Sequence, residues 1–493
     1  MKIKIAVLSD LHAGKAYDDS AGRGDIAEVL LARAVYRLKR WIRPDVVLLL
    51  GDLVEDDGSL AVRPLLERSA KALTILECPV IVIRGNHDPA EELFYEYIPR
   101  PAESIEVKGV RFLPFLDAEE PEYNARRSKA DLDRMRGARK DFEGSIVSVQ
   151  HVPLFPPGAS DCPFNYINAE EVIEVMRNSG ISLAVSGHYH EGMELIRQGE
   201  QAFVANSALC DAPFSFLEID IDGENIQTIR HQLQMPRELC LVDAHVHTPF
   251  AYCNANMEPV LTLQLAEDFG LAGMAFAEHS SHLYFNRADY QEEQHLQKGL
   301  AARREEDNRF ADYLQTLRQM GCPAESMGLE IECDYQNRLL LRDEDRKRVN
   351  FLIGAVHSLP ERKAEVKDLT RLTEQFMTAT ATIIQSGIRV LVHPFRFFRR
   401  CKFEPPEDLF APVVKLLRDA NVAAEINFHT NEPSPEFFRM CIEAGVKLTF
   451  GGDAHHLREI GEFWPHLNLL RDIGFDGELK DILIDPRKNN HYE

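Results

Sequence analysis

Eleven of the 18 histidines in this 493-residue chain fall in short blocks where an apolar run ends in a carboxylate, an amide or an imidazole. In the first half, IKIAVL runs into Asp10 and His12, VVLLL into Asp52, VIVIR into Asn86 and His87, SIVSVQ into His151, and SLAVS into His188 and His190. In the second, CLVDA leads to His245 and His247, GMAFA to Glu278 and His279, and MGL to Glu330 and Glu332. FLIGAV then leads to His357, RVLV to His393, VAAEI to Asn427, and KLTFGG to Asp453 and His455. These donor types suit divalent metals: a pair of ions about 3.5–4 Å apart shares a carboxylate, activates a water and neutralises charge building on phosphoryl oxygens. An Asp or Asn after one strand is often only a cap or a turn residue. Its recurrence with histidine at strand after strand is what points to metal-assisted phosphoester chemistry.

Ligands at strand ends stand on a rigid platform while the following loops stay open to substrate. Between the strands lie amphipathic helical patterns such as DIAEVLLARAVYRLKRWI, AEEVIEVMRNSG, PVLTLQLAEDFG, EDLFAPVVKLLRDAN and SPEFFRMCIEAG. Strands alternating with helices predict α/β architecture in both halves. FLEIDIDGENIQTIRHQL predicts a hairpin about Asp222-Gly223. The polar segment from Gln234 to Glu238, with Pro236, marks the boundary between domains at 1–235 and 239–493. The length favours two cores over one. Seven strand-like segments in the second domain predict a parallel barrel with its site at the strands' carboxyl ends. A long charged insert from Ser280 to Pro323 is expected to carry a helix that is solvated or covers the site.

The first set, D-x-H, GD, GNH, H and GH-x-H in order, resembles the calcineurin-like metallophosphoesterase family over about residues 1–232. That resemblance implies an αββα sandwich holding two metals. Asp10, His12 and His190 would hold one ion, Asn86, His151 and His188 the other, and Asp52 would bridge them. His87 would be the acid beside the leaving group. Asp88 is either a further support or a cap. The second set resembles the PHP (polymerase and histidinol phosphatase) family over about residues 239–485, which implies a distorted (β/α)7 TIM-like barrel with up to three metals. His245, His247, Glu330 and Asp453 would surround one ion, Glu330, His357 and His393 a second, and His279 and His455 a third. The family's further imidazole after H-x-H is missing from PFAYCNANM, where Cys253 is either a soft thiolate ligand or a small buried side chain. Glu278 stands where the family more often has Asp. After His393, HPFRFFRR offers guanidinium groups to grip phosphate, Arg396 first among them.

The net charge of −23 is shared between the halves and argues against a non-specific grip on nucleic acid. A nuclease or repair phosphodiesterase is therefore the alternative to a small phosphorylated substrate, and one active domain with a regulatory partner domain is a third reading. The basic stretch from Arg126 to Lys140 is either a patch that meets an anion or a solvated helix face. Nine cysteines without CxxC spacing, and no apolar run long enough to cross a bilayer, fit a reducing cytoplasm. The donor set accepts manganese, iron, zinc or nickel. Two ions are expected in the first domain and two or three in the second.

Overall fold

The computed structural model describes residues 2–15, 22–58 and 60–488. They form two compact units, Met1–Gln234 and Met235–Glu493. The strands of the first are β1 (Lys2–Leu8), β2 (Val46–Leu49), β3 (Val80–Val82), β4 (Ile105–Val107), β5 (Val110–Pro114), β6 (Ala118–Glu120), β7 (Asn124–Arg126), β8 (Ser145–Val149), β9 (Leu183–Ser186), β10 (Met193–Gln198), β11 (Gln201–Ala205), β12 (Ser215–Asp222) and β13 (Asn225–Gln232). One sheet has the order β13-β12-β1-β2-β3, a second β10-β11-β9-β8-β5-β4, and β6-β7 forms a separate hairpin. Ile3, Ile5, Val7, Val46 and Leu48 of the first sheet pack against Phe112, Val147, Val149, Leu183 and Val204 of the second. The strands β1, β2 and β3 pair in parallel, so their connections must cross a face of the sheet, and the helices Ala27–Arg37 and Val62–Leu73 supply the cover. On the second sheet's outer face, Leu132 and Met135 of Lys129–Arg136 and Val172, Ile173 and Met176 of Ala169–Asn178 pack onto Leu113, Ile146, Ala184 and Phe203. The result is an αββα sandwich. The alternating segment near Asp222-Gly223 forms the β12–β13 hairpin, with Asp222 paired to Asn225.

The second unit is a nearly closed barrel of seven parallel strands in chain order: β14 (Val242–Val246), β15 (Gly273–His279), β16 (Met327–Ile331), β17 (Phe351–Gly354), β18 (Val390–Leu391), β19 (Ala423–Asn427) and β20 (Leu448–Gly451). A parallel bridge from Val246 to Ala454 links its first and last strands. Small inward residues, including Ala244, Ala275, Ala277 and Ala423, leave room for Ile353, Val390 and Val392 in a narrow interior. The insert after Ser280 is not one helix. It breaks into Ser280–Tyr284, Arg287–Gln291, Gln294–Lys298 and Phe310–Gln319. Buried Tyr284, His295, Leu296, Phe310 and Tyr313 anchor the pieces one by one, and Glu293 and Gly299 take left-handed backbone between them.

The basic stretch from Arg126 to Lys140 is largely neutralised locally. Arg127 is fully buried on Asp117 at 2.7 Å, Arg126 pairs with Glu120 and Arg136 with Asp133, and Arg134 and Arg139 donate to main-chain carbonyls. Among the described residues no helix is long and apolar enough to cross a membrane.

Candidate metal centres

In the first unit, the residues after β1, β2 and β9 turn sharply into the site. Asp10, His12, Asp52 and His188 all have left-handed φ, from 48° to 65°, which is uncommon for non-glycine residues and concentrates at functional sites. Gly85 lets the loops close in, since a Cβ there would stand 2.1 Å from Asp52 Oδ1. The ligand atoms of Asp10, His12 and His190 lie within 4.8 Å of one another, as do those of Asp52, His151 and His188. Between these groups Asp52 Oδ2 lies 3.7 Å from His12 Nε2 and 3.3 Å from His151 Nε2. Asn86 Oδ1 is 2.9 Å from His151 Nε2. His87 donates its main-chain N–H to Asp52 Oδ1 and sets its ring edge-on to His12.

The outer nitrogens decide where the inner lone pairs point. His12 Nδ1 donates to Glu55 at 2.8 Å, His190 Nδ1 to Asp211 at 2.7 Å and His151 Nδ1 to the Leu50 carbonyl at 2.6 Å. Each acceptor is an oxygen without a proton, so each Nε2 of a neutral ring carries a lone pair. Two such lone pairs, on His12 and His190, face each other at 3.2 Å, an arrangement that calls for a cation between them. Asp10 Oδ1 and His188 Nε2 are buried and have no hydrogen-bond partner. Burial raises the Asp52 carboxyl, but His151, His12 and His87 outweigh it and hold it well below the carboxylate range. Burial and then His151 push His188 down to about 3. Asp88 accepts N–H bonds from Val54 and Gly85 and so ties the β2 and β3 loops together. Burial, followed by the charge of Asp52, raises it to about 7.

The barrel repeats this chemistry. His247 Nε2 lies 3.1 Å from Asp453 Oδ1 and 3.8 Å from Glu330 Oε2, and His245 Nε2 lies 3.5 and 3.7 Å from the same two oxygens. On the other side of Glu330, Oε1 is 3.1 Å from His357 Nε2 and 3.0 Å from His393 Nε2. His279 Nδ1 reaches Glu330 Oε2 at 2.5 Å, and His247, His279 and His455 form a further cluster. Again the outer nitrogens are tied: His245 to Glu425 at 2.7 Å, His247 to Glu278 and His357 to Glu332 at 3.2 Å, and His455 to the Asp453 carbonyl at 2.7 Å. His245 Nε2 is buried without a hydrogen-bond partner. Against burial, the surrounding histidines hold Glu330 far below its ordinary value. Gly451 admits Glu425, whose Oε1 would be 1.8 Å from a Cβ there. Both donor sets therefore fit divalent ions.

Arg396 is buried with its guanidinium turned into this cluster, 2.5 Å from Asp453 Oδ2 and 2.6 Å from His393 Nε2. Cys253 Sγ is 3.6 Å from His279 Nε2, and those two with His282 form another candidate ligand group. A cavity of about 490 Å³ opens over the cluster, its wall including Cys253, His279, His357, Arg396 and His455.

Residues 3–192 match the family model Calcineurin-like phosphoesterase, and residues 243–429 match the family model PHP domain. The chain joins these two families. A curated relative described as a probable cyclic nucleotide phosphodiesterase, from Synechococcus sp., is 28% identical over 201 residues, covering 39% of this chain and 74% of the relative. Similar solved structures include a dimetal phosphatase from Danio rerio (14% identity, TM-score 0.39, 47% of this chain and 98% of that one). Another is Vps29 from Chaetomium thermophilum (13% identity, TM-score 0.25, 48% and 90%). The chain is a metal-dependent phosphoesterase.

Sequence reasoning missed four supporting residues of the phosphoesterase and PHP centres. Glu55 accepts from both His12 and His87, Asp211 orients His190, and Glu425 orients His245 while accepting the His393 N–H. His282, outside the motif blocks, is 2% exposed and has no partner for Nε2. Glu425 carried a signal, since it lies in the VAAEI strand two residues before Asn427 and so shares its inward face. Glu55, Asp211 and His282 carried none.

Proposed function

We propose that the chain hydrolyses phosphate mono- and diesters of small molecules at two separate centres, one in each domain. The observation that carries this reading is the set of histidines whose outer nitrogens are tied to oxygen acceptors, so that their inner lone pairs converge on Asp52 in one domain and on Glu330 and Asp453 in the other.

In the first domain Asp10, His12 and His190 would hold one ion, Asn86, His151 and His188 a second, and Asp52 would bridge. In the barrel His245, His247, Glu330 and Asp453 would hold one ion and Glu330, His357 and His393 another, with His279 and His455 available to a third. Divalent ions of the manganese, iron, zinc or nickel type would supply Lewis acidity and an activated water. The protein's own groups do the rest. His87, half-exposed and steadied through Nδ1 by Glu55 at 2.9 Å, places Nε2 to protonate a leaving oxygen. Arg396 balances the barrel carboxylates and contacts the phosphoryl oxygens. Tyr123, 55% exposed, stands near Phe164 and His188 over the first centre, where it would stack on a nucleobase. With the cyclic nucleotide phosphodiesterase relative, this favours nucleotide-like esters there. Nine free cysteines fit a cytoplasmic location.

The test is a phosphoester panel of nucleotides, cyclic nucleotides, sugar phosphates and model diesters, run on wild type, Asp52→Asn, His393→Ala and the variant carrying both substitutions. Each variant should lose its own subset of activities, by roughly 10²-fold or more for a residue that stabilises transition-state charge. Activity surviving in the double variant would place the chemistry elsewhere.

A further inference from the structure

We propose that Arg362 and Arg400 form an anion subsite beside the barrel's metal-ligand cluster, so that the PHP site takes a phosphorylated substrate carrying a second anionic group. This inference rests on the barrel being a phosphoesterase and specifies its substrate class.

Both residues line the cavity that opens over His279, His357 and His455. They come from different loops at the carboxyl end of the barrel. Arg362 lies in the turn Pro360–Lys363 after β17, and Arg400 ends the short helix Arg396–Arg400 after β18. Neither forms an ion pair among the described residues. Arg362 makes one long contact, 3.4 Å to Ser358 Oγ, and Arg400 makes none. Arg396 and Arg362 act on Arg400 as like charges, while Asp453 and Glu330 act on it as opposite ones.

Both residues are solvent-exposed, so their unused donors face water at the cavity. The chain has 79 acidic residues against 56 basic ones, so carboxylate partners are plentiful, and the cavity itself contains three. All three are committed elsewhere. Glu332 binds Ser281 and His357, Glu293 binds Lys363 and Tyr335, and Glu459 accepts the main-chain N–H groups of His455 and His456 and pairs with Arg458. Of the other arginines lining the cavity, Arg396 is committed to Asp453 and His393 and Arg458 to Glu459. What remains at the cavity is a pair of like-charged guanidinium groups with free donors, whose repulsion Asp453 and Glu330 offset only in part. A carboxylate or phosphate relieves that repulsion and matches the fork geometry of arginine. A substrate whose scissile phosphate sits at the ligand cluster would reach this pair with a second anion on the same small molecule.

The test is isothermal titration of the full chain loaded with Mn2+. Alkylphosphonates are compared with carboxyalkylphosphonates of matched length, from phosphonoacetate to 4-phosphonobutyrate, so that no turnover is needed. At least one carboxylated member should bind roughly 10- to 100-fold more tightly than its alkyl counterpart, the range for charge-assisted hydrogen bonds. That gap should collapse in Arg362→Gln, Arg400→Gln and survive in part in Arg400→Lys. Equal affinities throughout the wild-type series would overturn the subsite, and so would a gap untouched in the double variant. Hydrolysis of p-nitrophenyl phosphate that depends on His393 reports separately on the phosphoesterase reading.

Discussion

Glu55 shows how much one carboxylate can do outside a ligand set. Its two oxygens receive His12 Nδ1 and His87 Nδ1, at 2.8 and 2.9 Å, so it fixes both the ring expected to hold metal and the ring expected to deliver a proton. Burial raises its pKa, but the bonds from His12 and His87 lower it further, so the group stays ionised at neutral pH. Glu55→Gln keeps the shape but offers only one acceptor oxygen to two N–H donors, so one imidazole loses its orienting partner. Loss of such a supporting carboxylate weakens metal binding by about 10- to 100-fold. We expect metal titration of Glu55→Gln to show that loss in the N-terminal domain alone, with the acid limb of its pH–rate profile displaced as well. An unchanged affinity together with an unchanged profile would mean that His12 and His87 are positioned by other contacts.

Two elements depend on buried charges. Arg127, at the end of β7, is held by both Asp117 oxygens and by Tyr166, with its guanidinium carbon 3.6 Å above the Phe115 ring. Arg127→Met leaves Asp117 buried without its cation, which costs about 3–5 kcal/mol. Denaturant unfolding should show that loss, and adding Asp117→Asn should recover part of it. In β12, Glu218 receives Lys4 at 2.7 Å and His231 at 2.8 Å. Burial raises its pKa, but His231 and Lys4 outweigh that and hold it below 4.5. A depressed carboxylate contributes stability that is complete above its unfolded value and is lost as pH falls through the folded one. Glu218→Gln should therefore cost about 1.5–3 kcal/mol at neutral pH, and the difference from wild type should shrink as pH falls below the ordinary glutamate range in a pH series of unfolding curves. The β1 and β12 pattern that positions these groups was legible because alternation and apolar runs are local signals. Glu55 and Asp211 were not, because a single acidic residue in a loop looks the same in sequence whether it faces solvent or an imidazole. The segmented insert was misread for a related reason. Its charged surface suggested one helix, while its anchors Tyr284 and Tyr313 bond to Asp345 and to the Phe276 and Gly328 carbonyls, distant in the chain.

At the scale of the molecule, two separate collections of carboxylates and imidazoles are folded into tight clusters inside a chain of net charge −23. In the barrel, Glu278, Glu330, Glu332, Glu425 and Asp453 are all at most 5% exposed, and among the described residues Arg396 alone offers them a permanent cation, pairing with Asp453. Bound divalent ions would relieve that concentration of charge, and because the sites exist only in the folded chain, binding would stabilise it through mass action. At a free metal concentration 100 times Kd the gain is about 2.7 kcal/mol for one site. Chelation should therefore lower the unfolding temperature of both domains. Asp52→Asn should remove that response from the N-terminal domain only, and Glu330→Gln from the barrel only, because each carboxylate lies at the centre of its own cluster. Differential scanning calorimetry with and without EDTA, read beside ion counts by mass spectrometry, measures both quantities on one sample. If the ions leave and neither transition moves, the clusters owe their shape to the imidazole–carboxylate bonds alone, and the electrostatic case for metal as a structural partner fails.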